Sequence, residues 1–418
     1  MKCITFIGVL LSLCLILSSL SLASVQYNVI QLTDNSYNDR FPKINDQGQL
    51  VWTRGWNEER EIFFYDGSRV IQLTDNSYAD HSPQINNNGY VVWQGWDGTD
   101  YEIYLYDGST ITQITENDYS DKYPQINDNG FVVWQGWDGS DSEIFLYDGT
   151  TTIQITDNIY FDGNPQINEN GDIVWWAEDG SRDTAEIFFY DGSTITQITN
   201  NTILDWYPML NNNGQITWMG CGSEDYCDIY FYDGQDVILI WAPWYPWTSE
   251  YPQINDLGQI VWTDYYNGYG GPLWMVYLYD GSYPPTELKG SYENNADPHI
   301  NNNGYVTWYG WDTGKEGIFL YDGTSIQEIA SFSSSALRTL SAPGDYGPHL
   351  NNNGYIVWEG WNLSGAGMLE IFLAVPIPVW GTASVAGLNA QPDAGALNYL
   401  LILIVPFGVL ILWRVVGR

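Results

Sequence analysis

Basic side chains are scarce in this chain: Lys and Arg together number 13 against 51 Asp and Glu, for a formal net charge of -38. Such a charge repels polyanions, so DNA and RNA are excluded as partners. Histidine is scarcer still, with only His81, His299 and His349. The metalloprotease pattern His-Glu-x-x-His is missing, as are Gly-x-Ser-x-Gly and the Gly-rich phosphate loops. Catalytic classes that travel with a short motif are therefore not indicated. Between Gln31 and Phe372 no run is long enough, or spaced at helical period, to form a helix.

What the chain has in abundance is repetition. One phrase recurs eight times: Pro, an apolar residue, Asn, Gly, a Val-Trp strand, an Ile-Phe or Ile-Tyr strand, and usually Tyr-Asp-Gly. Its prolines are Pro42, Pro83, Pro124, Pro165, Pro208, Pro252, Pro298 and Pro348. In the unit from Pro124 to Thr156, four short runs rich in Val, Ile, Trp, Phe, Tyr and Thr are separated by Asn-Gly, Asp-Gly-Ser-Asp and Asp-Gly. Those dipeptides supply the positive φ that tight hairpins need, so each unit reads as four antiparallel strands. Runs such as Val-Val-Trp are apolar on both faces, which suits a sheet sandwiched between two neighbours. The expected fold is all-β, a radial β-propeller of four-stranded blades.

The ends of the array fit that reading. The last unit supplies three strands and lacks the Gln-Ile-Thr strand that closes the others, while Tyr27 to Thr33 is such a strand with no unit before it. Joining them predicts an eight-bladed ring closed by its N-terminal strand over residues 26–374; seven blades with one distorted unit is the alternative. The periodic tryptophans Trp52, Trp93, Trp134, Trp175, Trp218, Trp262, Trp308 and Trp358 fall on the second strand of each unit and are expected in the core.

The order Pro, Gly-ended turn, Ile-x-Trp, Ile-Phe, Asp-Gly, Ile-Thr resembles the repeat of the TolB-like propellers, related to WD-type propellers. The family's Ser-Pro-Asp-Gly turn is here Asn-Asn-Asn-Gly or Asn-Asp-Asn-Gly, as at Asn86 to Gly89. The resemblance implies a binding or scaffolding role and carries across no catalytic motif.

Residues 1–23 read as a secretory signal peptide, with an apolar stretch from Ile4 to Leu17 and Ala23 at the cleavage site. Residues 375–396 are rich in Ala, Pro and Gly and read as a linker. The apolar run 397–413 predicts a C-terminal transmembrane helix, followed by a basic cytoplasmic tail, 414–418. Together with Ala374 to Gly381 these segments resemble a PEP-CTERM-like sorting signal, a plain membrane anchor being the other reading. The expected location is the cell surface or periplasm. Cys221 and Cys227 bracket a hairpin loop and are expected to form a disulfide in that oxidising setting.

Function is expected on the face carrying the acidic and aromatic loops. The repeat breaks down after the fifth unit, and Trp206, Trp244, Tyr245, Trp247, Tyr265, Tyr266 and Tyr269 would form one aromatic patch there. Flat rings beside Asp and Asn suit sugars, so a glycan or a cell-surface protein is the expected ligand. The same rings could instead be the small core of their own loops. Calcium is a possible cofactor through Asp75 with Asp80 and Asp97 with Asp100, recurring pairs of hard oxygen donors. His299 and His349 take the place of a Gln found in other units, near the ring axis. The main reading is a membrane-tethered binding or surface-interaction module; the alternative is a secreted polysaccharide hydrolase or lyase using loop carboxylates.

Overall fold

In a computed structural model of the chain, the described residues are 25–56, 59–178, 180, 184–222, 226–243, 247–268, 271–333, 347–361, 368–377, 400–405 and 408–413. The signal peptide, nearly all of the linker and the basic tail lie outside them.

One unit shows how the sequence makes its sheet. Strands Asp121–Ile126, Val132–Trp137, Ser142–Tyr147 and Thr152–Gln154 pair in that order, all antiparallel. At the first turn the Asn127 side-chain oxygen accepts from the amides of Asn129 and Phe131, and Gly130 takes φ +80°. At the third turn Asp148 accepts from the amides of Thr150 and Thr151. These side chains replace backbone acceptors where the chain reverses. The outermost strand is only three residues long and exposed, and the two middle strands are buried. Val133, Ile144 and Leu146 meet Ile173, Trp175 and Ala177 of the next unit, so the core lies between sheets rather than within one.

Sheets of this kind recur from Asp39–Ile44 onward; those beginning at Asp162–Ile167 and Leu204–Leu210 are joined by a single parallel bridge, Ala185 to Leu204. The strands His349–Leu350, Ile356–Trp361 and Leu369–Ile377 gain their fourth strand from Gln26–Gln31. There Leu32 donates its amide to the Ile371 carbonyl at 2.7 Å, and the Thr33 hydroxyl accepts from the Ile371 amide at 2.9 Å. The periodic tryptophans are at most 1% exposed. Each stacks on an aromatic ring of the third strand, as Trp134 does on Phe145 with centroids 5.9 Å apart.

The asparagine turns join the sheets into a circle. The side-chain amide of Asn45 donates to the carbonyl of Asn86, Asn86 to Asn127, Asn127 to Asn168, Asn168 to Asn211, Asn211 to Asn255, Asn255 to Asn301, Asn301 to Asn351, and Asn351 back to Asn45. These eight bonds span 2.7–3.1 Å and all point the same way round. The next residue of each turn forms a parallel circle, as when Asn87 donates its amide to Asp128 and Asp128 to Glu169. This is what the departure from Ser-Pro-Asp-Gly provides: asparagine both caps its own turn and reaches the neighbouring one.

The expected C-terminal helix is not shown among the described residues. Leu400–Val405 and Gly408–Trp413 form an antiparallel β-hairpin, and among the described residues no helix is long and apolar enough to cross a membrane. Pro406, which has no amide hydrogen to give a helix, stands between the two strands in the sequence.

Candidate functional site: the axial cavity

In seven of the sheets the innermost strand carries an X-Pro pair at a break in the pairing register, as between Lys122 and Gln125. The residue before proline adopts left-handed backbone at Phe41, Ser82, Tyr123, Asn164, Tyr207, Tyr251 and Asp297, with φ from 52° to 57°. That conformation is costly for residues with a side chain. Part of the cost is offset across the sheet boundary. The amide of Phe41 is accepted by Glu359, that of Tyr123 by Gln94, that of Asn164 by Gln135, and that of Asp297 by Thr263.

The bend aims the residue after each proline at the axis. In chain order these are Lys43, Gln84, Gln125, Gln166, Met209, Gln253, His299 and His349, and all of them line one cavity of about 500 Å³. Ser82, Tyr123, Asn164, Tyr207 and Tyr251 form its rim, and no Asp or Glu is among the lining residues. At the asparagine-turn end a separate polar opening of about 300 Å³ includes Asp46, Asp128 and Glu169, with Ile44 and Ile85 common to both.

Three groups with chemistry converge in the cavity. His299 and His349 have ring centroids 3.8 Å apart, and Lys43 Nζ lies 3.2 Å from His349 Nε2. Burial holds the His349 pKa well below the ordinary value, with His299 and Lys43 adding to the effect. His349 is thus a neutral imidazole, while His299 is half-buried against the cavity.

The mouth above has two sides. Arg40, His81 and Lys122 occupy one equivalent position on successive inner strands, pairing Thr53, Gln94 and Gln135. On the following sheets the same position pairs Gly163 with Trp176, then Trp206 with Met219. A ladder of rings runs along that side. Phe161 stacks on Trp176 at 5.3 Å, Trp176 on Trp206 at 5.3 Å, Trp206 meets Tyr207 at 6.1 Å, and Tyr207 meets Tyr251 at 5.2 Å. Glu250 follows at that position; burial, then Asp297, pushes its pKa up to about 7.

Of the seven loop aromatics expected to form one patch, Trp206, Trp247, Tyr265 and Tyr266 are among the described residues. Trp206 belongs to this ladder. Trp247 faces Tyr266 across paired strands at 4.7 Å, and Tyr265 packs on Trp274, which meets Trp311. Trp244, Tyr245 and Tyr269 lie outside the described residues. The Cys221 and Cys227 sulfurs are bonded across paired strands.

Of the calcium candidates, Asp75 and Asp80 do not converge. Asp75 is exposed, whereas Asp80 is buried and accepts from the Trp93 indole at 3.1 Å and the Asn76 amide at 2.9 Å. Asp39, Asp121, Asp162 and Asp205 serve the equivalent tryptophans in the same way. Asp97 and Asp100 do come together, with Glu102 as a third carboxylate that spacing alone did not single out.

No protein-family model matches the sequence, and no curated protein does. Solved structures do match. An oligogalacturonate lyase from Vibrio parahaemolyticus is 13% identical, with TM-score 0.50 over 85% of this chain and 99% of that one. The β-propeller domain of the trilobed protease from Pyrococcus furiosus is 12% identical, with TM-score 0.50 over 70% and 95%. The fold is a β-propeller. A puromycin-hydrolyzing peptidase from Mycobacterium tuberculosis is 12% identical, with TM-score 0.51 over 80% of this chain; the match spans 61% of the peptidase's own length. The expectation of a binding or surface-interaction module is corrected here: the structures sharing this ring are those of a lyase and of hydrolases.

Proposed function

We propose that the protein is a polysaccharide-processing enzyme, and within that class a lyase cleaving short acidic oligosaccharides in the axial cavity. The observation that carries this reading is the cavity wall: two of the three histidines and Lys43 meet there with no carboxylate among the lining residues. Glycoside hydrolysis draws on a pair of carboxylates, which this wall does not offer. In a molecule of net charge -38, it is also a place where a sugar carboxylate meets a cation instead of its own kind.

The chemistry follows from the residues. Lys43 pairs with the uronate carboxylate and draws charge onto it. His299 takes the proton from the adjacent carbon, that C–H electron pair becomes a C=C bond, and the glycosidic C–O bond beyond it breaks. The departing oxygen takes a proton from a rim hydroxyl; Tyr251, whose pKa burial raises, keeps its proton for that purpose. His349 backs His299 and stays neutral beside Lys43. The ring ladder from Trp176 to Tyr251 gives sugar faces a platform, and Lys122 on a neighbouring inner strand offers a charge for a further carboxylate, while Arg40 is held by Glu359 at 3.3 Å.

Coverage supports the choice of a lyase, since the ring matches 99% of the lyase chain but 61% of the peptidase. A further oligogalacturonate lyase structure, with TM-score 0.52, is a complex with manganese. The axial wall here presents two imidazoles, one of them engaged by Lys43, and four glutamine amides whose carbonyls are possible oxygen donors, with no carboxylate to balance the charge of a divalent ion. No step of the proposed reaction runs through a metal. We also infer eight blades, supported by the asparagine circle that returns to Asn45, and export, supported by the leader-like residues 1–23.

Incubation with short oligouronates tests the reading. Elimination creates a double bond conjugated to the carboxylate, seen as growing ultraviolet absorbance, and hydrolysis does not. Lys43→Met and His299→Ala should each lower turnover by about 100-fold or more. New reducing ends without absorbance would replace the lyase with a hydrolase, and no cleavage of any oligosaccharide would overturn the enzyme.

A further inference from the structure

We infer that the loop between the second and third strands of the unit beginning at Pro83 is a divalent-cation site of the calcium type, formed by Asp97, Asp100 and Glu102. Each offers a carboxylate oxygen, and the three oxygens lie within 4.8 Å of one another. Acidic clusters are common on a surface this anionic, so the decisive feature is Asp100. Its residue is 6% exposed, and neither carboxylate oxygen has a hydrogen-bond partner. A buried, unpartnered carboxylate is expensive and calls for a compensating group.

The neighbours show which group is missing. Asp97 is exposed and accepts from the amides of Thr99 and Asp100 through one oxygen. Glu102 is fully buried; it accepts from the Asn117 amide and the Thr115 hydroxyl. Glu61, Glu143 and Glu186 accept the corresponding amide in other units, so that role is structural, and Asp100 is what the loop adds. The groups facing Asp100 raise its pKa: burial first, then Asp97 and Asp118. The Lys122 ammonium lies 5.2 Å from the Tyr101 ring centroid. Oxygen-only donors on a loop, one edge open to water, suit calcium, which tolerates irregular shells, better than magnesium or a transition metal.

The next unit carries a partial copy. Asp138, Asp141 and Glu143 also converge. There Asp141 is half-buried, and its Oδ1 accepts from the Ser140 hydroxyl at 3.1 Å, so the stored repulsion is smaller.

The test is independent of any enzymatic activity. Trp96, whose ring lies 5.2 Å from that of Tyr101, should sensitise terbium luminescence at this loop. Terbium and calcium titrations of the full chain are expected to show competitive binding, with the melting temperature rising in calcium relative to chelator. Asp100→Asn should weaken binding by roughly tenfold or more and melt alike with or without calcium. Asp141→Asn should retain the response. No luminescence and no melting shift up to about 1 mM calcium, or unchanged binding in Asp100→Asn, would overturn the site.

Discussion

At the scale of single residues, the same amino acid does different work in neighbouring positions. Aspartate recurs every few residues in the loops, but most inner-strand copies accept from a tryptophan indole, and that is why a spacing of five suggested a metal pair at Asp75 and Asp80 where the structure has an internal hydrogen bond. Asparagine is as specific. Asn127 holds its own turn through its oxygen and the next sheet through its nitrogen, 3.0 Å from the Asn168 carbonyl, so Asn127→Ala removes one of the two donors to that carbonyl, leaving the Gly171 amide, and strips its own turn of the oxygen that accepts from Asn129 and Phe131. A loss of about 1–3 kcal/mol is expected by denaturant unfolding. Asn129, whose amide reaches Glu169 at an exposed site, should cost less than Asn127 when replaced by alanine. The catalytic candidates were only partly legible. Aligning the eight prolines gives the column Lys, Gln, Gln, Gln, Met, Gln, His, His, and its departures from Gln mark the site. The histidines could be placed near the axis from that column. That Lys43 meets them depends on the ring closing, which brings residues about 300 positions apart into contact.

At the scale of the strand and the sheet, the repeat was readable because alternating turns and apolar runs leave one solution. The buried tryptophan column, the short outer strands and the borrowed N-terminal strand all follow from it. The aromatic loops were less legible, since ring-rich sequence says nothing of which rings pair: Trp247 met Tyr266 across a strand, whereas Trp206 joined a ladder from another sheet. The apolar run 397–413 was ambiguous because apolar content suits a strand as well as a helix over so short a span. Removing residues through Thr33 tests the closing strand. It strips the Ile371 amide and carbonyl of their partners and exposes the edge of Leu369–Ile377. A lower, broader thermal transition and concentration-dependent aggregation are expected; an unchanged melt would show that the strand contributes nothing to closure.

At the scale of the whole molecule, charge governs behaviour. Burial raises the pKa of Asp80, Asp205 and Asp264 to about 6 and of Glu102 to about 7, with Glu250 near 7 as well. Folded-state values above the unfolded ones mean stability present below the ordinary carboxylate range and lost as pH rises through 6 to 7. His81, lowered to about 4 by burial and then Arg60, works oppositely: its contribution is present above 6.5 and lost as pH falls toward 4. His349 has the same sign. Five carboxylates outweigh two histidines, and acid also relieves the net charge. The melting temperature should therefore rise from about pH 8 to about pH 5.5 at fixed ionic strength. Salt should help the proposed reaction too. An anionic substrate approaching an anionic ring is repelled at distances that salt screens, so kcat/KM is expected to increase with ionic strength before contact pairing weakens.

The asparagine circle has one more consequence. A ladder of bonds frays from its ends, and a circuit has none. Releasing any one sheet at the axis breaks the link it gives and the link it receives together, so amides around that inner collar should be the last in the protein to trade their hydrogens with solvent.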